Sequence, residues 1–122
     1  MTSHEIMHEF AIMESTLEIA AERAHLENAA AIDVIRLRIG LLSGVVPEAL
    51  ELAFETLKIG TLAEHGKLEI ERVPAIFKCS VCGLEIKRNS MEFVCPDCGS
   101  VLALCDGGSE LELSQMEVTS NV

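Results

Sequence analysis

Apolar residues recur at helical spacing from Ile6 to about Asn28. Ile6, Phe10, Met13, Leu17, Ala20 and Ala24 step by four and three, and the positions between them are rich in Glu and Ala, which favour helix. The period then shortens to two. Within Ile32 to Ile39, residues Ile35, Leu37 and Ile39 face one way and Arg36 and Arg38 the other, the pattern of a half-buried strand. Gly40 to Gly44 reads as a loop, and Pro47 suits the first turn of a second helix. Leu50, Phe54 and Leu57 mark that helix's buried stripe, and Gly60 its stop. After Gly66, Leu68 and Ile70 alternate with Glu69 and Glu71 in a second strand that ends at Pro74. Beyond the Gly107-Gly108 turn come Leu111, Leu113, Met116 and Val118, whose alternation slips by one at Ser114-Gln115, as at a bulge or strand end. The order of elements predicts that this last strand rejoins the first sheet. The expected fold is α+β, with two helices on a three-stranded sheet from residues 1–76 plus 107–122, and residues 77–106 inserted as a separate module.

Composition sets limits on this picture. Of 122 residues 49% are apolar, but there are only four Phe and no Trp or Tyr, so the core must be aliphatic. No apolar run approaches a membrane span, and the N-terminus lacks the basic-then-apolar pattern of a signal peptide. A cytoplasmic chain is expected, with its thiols reduced. Nine Lys and Arg stand against 20 Asp and Glu, a net charge of −11. That balance repels a phosphate backbone, and stacking aromatics are nearly absent, so nucleic acid is excluded as a partner.

The inserted module carries the strongest chemistry. Cys79-Ser80-Val81-Cys82-Gly83 and Cys95-Pro96-Asp97-Cys98-Gly99 are matched C-x-x-C-G turns separated by 12 residues. Each turn presents two sulfurs, and two facing turns supply the four corners of a tetrahedral zinc site, as in a zinc ribbon. Such a site is closed and structural. The same ligands also suit iron, which leaves a rubredoxin-like electron carrier and a zinc-ribbon protein-interaction module as alternatives. Cys105 lies off the spacing and reads as a small buried residue. His25 and His65 read as surface positions, and Glu14, Glu18, Glu22, Glu48, Glu51 and Glu55 as solvated helix faces. No nucleophile-base set, phosphate loop or carboxylate pair emerges, so the chain is not expected to be an enzyme.

Two histidines, His4 and His8, stand near the start, the second within Met7-His8-Glu9. With Ile39-Gly40-Leu41-Leu42-Ser43, Ala53-Phe54-Glu55, Gly60-Thr61-Leu62-Ala63-Glu64, the two cysteine turns, and Gly108-Ser109-Glu110-Leu111 to Met116-Glu117-Val118, this motif makes a pattern spanning nearly the whole chain. The pattern resembles the HypA/HybF nickel-insertion accessory proteins of hydrogenase maturation.

The resemblance implies a metallochaperone with an α/β domain that binds one transferable Ni(II) and a domain with a structural Zn(II) on Cys79, Cys82, Cys95 and Cys98. Its implied partners are a hydrogenase-maturation GTPase and the hydrogenase large-subunit precursor, with urease maturation served by some members. The implied nickel residues are Met7, His8 and Glu9. A free amine, deprotonated backbone amides and the His8 imidazole form fused chelate rings around square-planar Ni(II), while the Glu9 carboxylate acts as an acceptor beyond the ligands. In the family the Met of this motif carries the free amine, whereas six residues precede Met7 here. Three forms follow: a chain starting at Met7, an extended chain in which His8 binds more weakly, or a chain trimmed of Met1. Trimming would expose Thr2-Ser3-His4, itself a square-planar chelator through His4.

Overall fold

A computed structural model describes residues 3–88, Ser90 and 92–121, with side chains from His8 onward. Its elements are α1 (Ser3–Leu26), β1 (Ala29–Gly40), α2 (Pro47–Leu57), β2 (Lys67–Val73), β3 (Ala75–Cys79), β4 (Glu85–Arg88), β5 (Leu102–Gly107) and β6 (Leu111–Ser120). Two three-stranded sheets form, ordered β2-β1-β6 and β4-β3-β5. The final strand therefore rejoins the first sheet, as its position after the insertion predicts, and it runs unbroken through Ser114-Gln115. The chain divides into two compact units, one of residues 1–37, 45–70 and 113–122 and the other of residues 38–44 and 71–112. The 77–106 module expected from the cysteines lies inside the second.

In the first unit α1 packs on α2. Helix α1 buries Glu9, Met13, Leu17, Ala20 and Ala24, a stripe stepping by four, four, three and four. Phe10, expected on that stripe, is only half-buried, and the carboxylate of Glu9 takes the inward place instead. Helix α2 contributes Ala49, Leu50, Ala53 and Phe54, and β1 buries Ile32, Val34, Ile35 and Leu37. Asn28 ends α1 in the left-handed region at φ 54°, a conformation Asn tolerates better than most residues. Its carbonyl and side chain accept hydrogen bonds from Asn121 at 3.1 and 3.3 Å.

The polar side of β1 is a ladder of ion pairs. Arg36 reaches Glu69 on β2 at 2.7 Å and Glu117 on β6. In the second unit Arg38 repeats the arrangement, with Glu112 on β6 at 2.8 Å and Glu71 on β2 at 3.4 Å. Each pair is screened by solvent and contributes little by itself. Their effect is to favour one strand register over its one-residue slip, which would set these charges on the apolar side.

The second unit has a small core. Ala75, Phe77, Cys79, Cys95 and Leu102 are buried, with Leu41, Leu42, Leu84 and Ile86 packed around them. Strand β3 supplies three of the five by strict alternation, Ala75, Phe77 and Cys79, and pairs antiparallel with β4 and β5. The Phe93 ring meets Phe77 edge-on, centroids 5.3 Å apart. Strand β3 leads into the first cysteine pair, β4 lies between the pairs and β5 follows the second.

The end of β1 passes so close to the Gly107-Gly108 turn that a Cβ on Gly40 would lie 2.2 Å from both the carbonyl carbon and oxygen of Gly108. Here the Gly40 N–H donates to Glu110 O at 2.7 Å. Gly40→Ala must push two backbones apart, and overpacking of this kind costs about 1–3 kcal/mol before the lost hydrogen bond is counted. A drop of at least about 2 kcal/mol is expected in urea unfolding; an unchanged midpoint would show that the contact yields freely.

Candidate metal centre

Two copies of one local design build the centre. In the first, the Cys79 N–H donates to Leu84 O at 2.8 Å and the Gly83 N–H to Cys79 O at 2.9 Å. In the second, the Cys95 N–H donates to Ser100 O at 2.7 Å and the Gly99 N–H to Cys95 O at 2.9 Å. Each turn closes through a glycine in the left-handed region, φ +79° at Gly83 and +77° at Gly99, where a side chain would be strained. Cys79 and Cys95, the first cysteine of each pair, are buried, and Cys82 and Cys98, the second, are exposed. One pair of ligands is thus rooted in the apolar core and the other faces solvent.

The two turns interleave. Cys79 Sγ lies 3.5 Å from Cys98 Sγ, and Cys82 Sγ lies 3.6 Å from Cys95 Sγ. All four sulfurs fall within 4.8 Å of one another. Zinc–sulfur bonds of about 2.3 Å at tetrahedral angles place sulfurs about 3.8 Å apart, so the cage needs only a small adjustment to close on a metal.

The thiols do not share their protons evenly. Hydrogen bonds from the Ser100 side chain and backbone bring Cys98 down to about 6. Cys82 is pushed up to about 12: the Leu84 backbone hydrogen bond lowers it, but the neighbouring Cys79 and Cys95 thiols, loss of solvent and Cys98 outweigh that. Four thiolates at this separation require a cation between them. The donor set suits a tetrahedral, sulfur-loving ion and leaves no open position for chemistry. Among the described residues, this is the one group of three or more His, Cys, Asp or Glu whose donor atoms converge.

The other predicted residues are not brought to it. His8 and Glu9 belong to the first unit, on α1, where His8 is exposed and Glu9 is 1% exposed. The side chains of Met7 and His4 lie outside the described residues. His25 and His65 are exposed, as are the six glutamates of the helix faces. Cys105, expected to be buried, is exposed. Phe77 pairs with Leu104 and Ile76 with Asp106, so Cys105 is the extra residue of a bulge in β5, and alternation no longer dictates its side. Sequence reasoning did not foresee the inward-facing carboxylate of Glu9. Its position four residues before Met13 on the buried stripe was the available signal.

Fold and site together define a small two-unit α+β protein with a closed four-thiol metal centre. The family model described as hydrogenase/urease nickel incorporation, metallochaperone, HypA matches residues 7–118. Hydrogenase maturation factor HypA of Picosynechococcus sp. is 44% identical over 112 residues, covering 92% of this chain and 99% of that protein. The same factor of Aquifex aeolicus is 38% identical, covering 92% and 97%. The solution structure of the Ni metallochaperone HypA from Helicobacter pylori shares the fold, with a TM-score of 0.63 at 24% identity over 93% of this chain and 98% of that one. The chain belongs to the HypA family of hydrogenase maturation factors.

The second unit's core, five buried residues with four partly buried ones around them, is small, and a metal cross-link adds to what holds its three short strands. Binding of a structural metal by such domains contributes on the order of 10 kcal/mol to folding. Chelation, or Cys79→Ser with Cys95→Ser, is expected to collapse the amide dispersion of β3 to β5 in two-dimensional NMR while the signals of α1 and α2 persist. Native dispersion of β3 to β5 in metal-free protein would show that apolar packing suffices.

Proposed function

We propose that the protein is a nickel metallochaperone, not an enzyme, which carries one Ni(II) at Met7-His8-Glu9 and delivers it to the hydrogenase large-subunit precursor. Delivery proceeds with a maturation GTPase in the cytoplasm, and urease accessory proteins are a second possible destination. Cys79, Cys82, Cys95 and Cys98 hold a Zn(II) that stays in place. The supporting observation is the closed geometry of the cysteine cage: a carrier must release its cargo, and four thiolates around one ion offer no position through which a receiving ligand can enter. The cargo therefore needs a different donor set, and His8 offers an exposed imidazole at the start of the family match.

Helix physics bears on which form of the chain binds best. The first four N–H groups of a helix have no partner within it. In α1, which begins at Ser3, the amides of Met7, His8 and Glu9 lie past that point and are committed to the helix. Chelation through them unwinds the first turns, losing about three hydrogen bonds at roughly 1 kcal/mol each. In a chain beginning at Met7 the same amides are the free donors of the first turn, and Met7 also supplies an amine. The shorter form should bind nickel at least about 100-fold more tightly, the equivalent of those lost bonds.

Intact mass of the native protein, followed by nickel titration of both forms, tests this. His8→Ala should weaken binding by about 100-fold or more through loss of a donor, and His4→Ala should change little. Unchanged affinity in His8→Ala would refute the assignment, and loss in His4→Ala alone would move the site to Thr2-Ser3-His4. Displaced amide protons also make affinity climb with pH, by roughly one logarithmic unit per pH unit for each proton released.

A further inference from the structure

Glu9 is the one charged side chain among the buried residues of the described structure, 1% exposed. Its Oε1 accepts a hydrogen bond from the Val46 N–H at 3.4 Å. Val46 is the N-cap of α2, carries no capping side chain of its own, and is followed by Pro47 in the first turn. A serine, threonine or aspartate would ordinarily cap such an end. Here the N–H of the N-cap residue itself is met by a carboxylate from another helix, the contact a glutamate makes in a capping box, and the carboxylate lies at the positive end of the α2 dipole. The second oxygen, Oε2, is buried without a hydrogen-bond partner. A carboxylate with one oxygen unpaired is costly to bury.

We propose that Glu9 is a positioning residue: its side chain ties α1 to the amino-terminal end of α2 and so sets the point beyond which α1 cannot unwind when nickel is taken up. Its bearing on nickel rests on the Met7-His8-Glu9 reading, whereas the tie to α2 stands on the geometry alone. Chelation draws on the backbone nitrogens up to Glu9, and the turn that precedes Glu9 must leave helical geometry. The Glu9 side chain points inward and is already engaged, so it is not a nickel ligand. Holding the last chelating residue in place confines the segment to be ordered to Met7 and His8, which preserves affinity by limiting the entropy lost on binding. It also stops the opening of the first turn from spreading into the buried stripe at Met13 and Leu17.

Glu9→Gln keeps an acceptor of the same shape for the Val46 N–H, and Glu9→Ala removes it. In full-length apo protein, hydrogen exchange at the α2 amides of residues 50–54 should quicken about tenfold in Glu9→Ala and stay within about threefold of wild type in Glu9→Gln. With nickel bound, the visible absorption band of the square-planar ion should be the same in wild type and both variants, because no ligand has changed. Affinity should fall about three- to tenfold in Glu9→Ala only. Unchanged exchange in Glu9→Ala would overturn the tie, and a shifted band in Glu9→Gln would make the carboxylate a ligand and overturn its positioning role. Should wild type bind no nickel, the Met7-His8-Glu9 reading fails, while the exchange measurement alone still decides whether Glu9 anchors α2.

Discussion

Four sulfurs meeting at one point are the constraint on which the second unit depends. Its apolar core is Ala75, Phe77, Cys79, Cys95 and Leu102, and two of those five are themselves members of the cage. Domains with so little to bury usually add a cross-link. The design follows from that need. Both turns use the same pair of backbone hydrogen bonds and the same left-handed glycine, and both place the first sulfur in the core and the second at the surface. Every cysteine of the two pairs is committed to the cage, and Cys105, outside it, is set apart by the bulge in β5.

A closed cage and a transferable cargo make opposite demands. The cage gains from rigidity, since any vacancy weakens its hold on the second unit. A carrier site needs ligands that can leave one at a time. Helix ends suit that role, because their first N–H groups have no partner in the helix and their opening free energy is small. The buried carboxylate of Glu9 sits where the labile end meets the packed body of α1. It links the donors proposed for nickel to the first unit's core through a single hydrogen bond to α2.

Much of this was legible in the chain itself. The long periodic elements α1, β1, α2, β2 and β6 emerge from spacing alone, with Pro74 and Gly60 marking ends, because burial on one face imposes a period over many residues. The C-x-x-C-G pairs foretold the cage, since two turns of that shape leave sulfurs nowhere else to go. Strands β3, β4 and β5 were missed: at four to six residues each, they carry too few alternations to stand out. Ala75, Phe77 and Cys79 alternate, but a cysteine in a C-x-x-C turn reads as a ligand and not as a core residue. Glu9 and Cys105 were hidden for a deeper reason. A charged residue on a buried stripe and a residue displaced by a bulge are both settled by tertiary partners, Val46 and the β3 register, that local pattern does not encode.

The central claim is that the two metals occupy chemically different sites, nickel on the nitrogen donors of Met7-His8-Glu9 and zinc on the four cysteines. X-ray absorption at the nickel edge of protein holding both metals tests it most directly. The expected first shell is nitrogen, with no sulfur. A sulfur shell around nickel would place the cargo in the cysteine cage and contradict it.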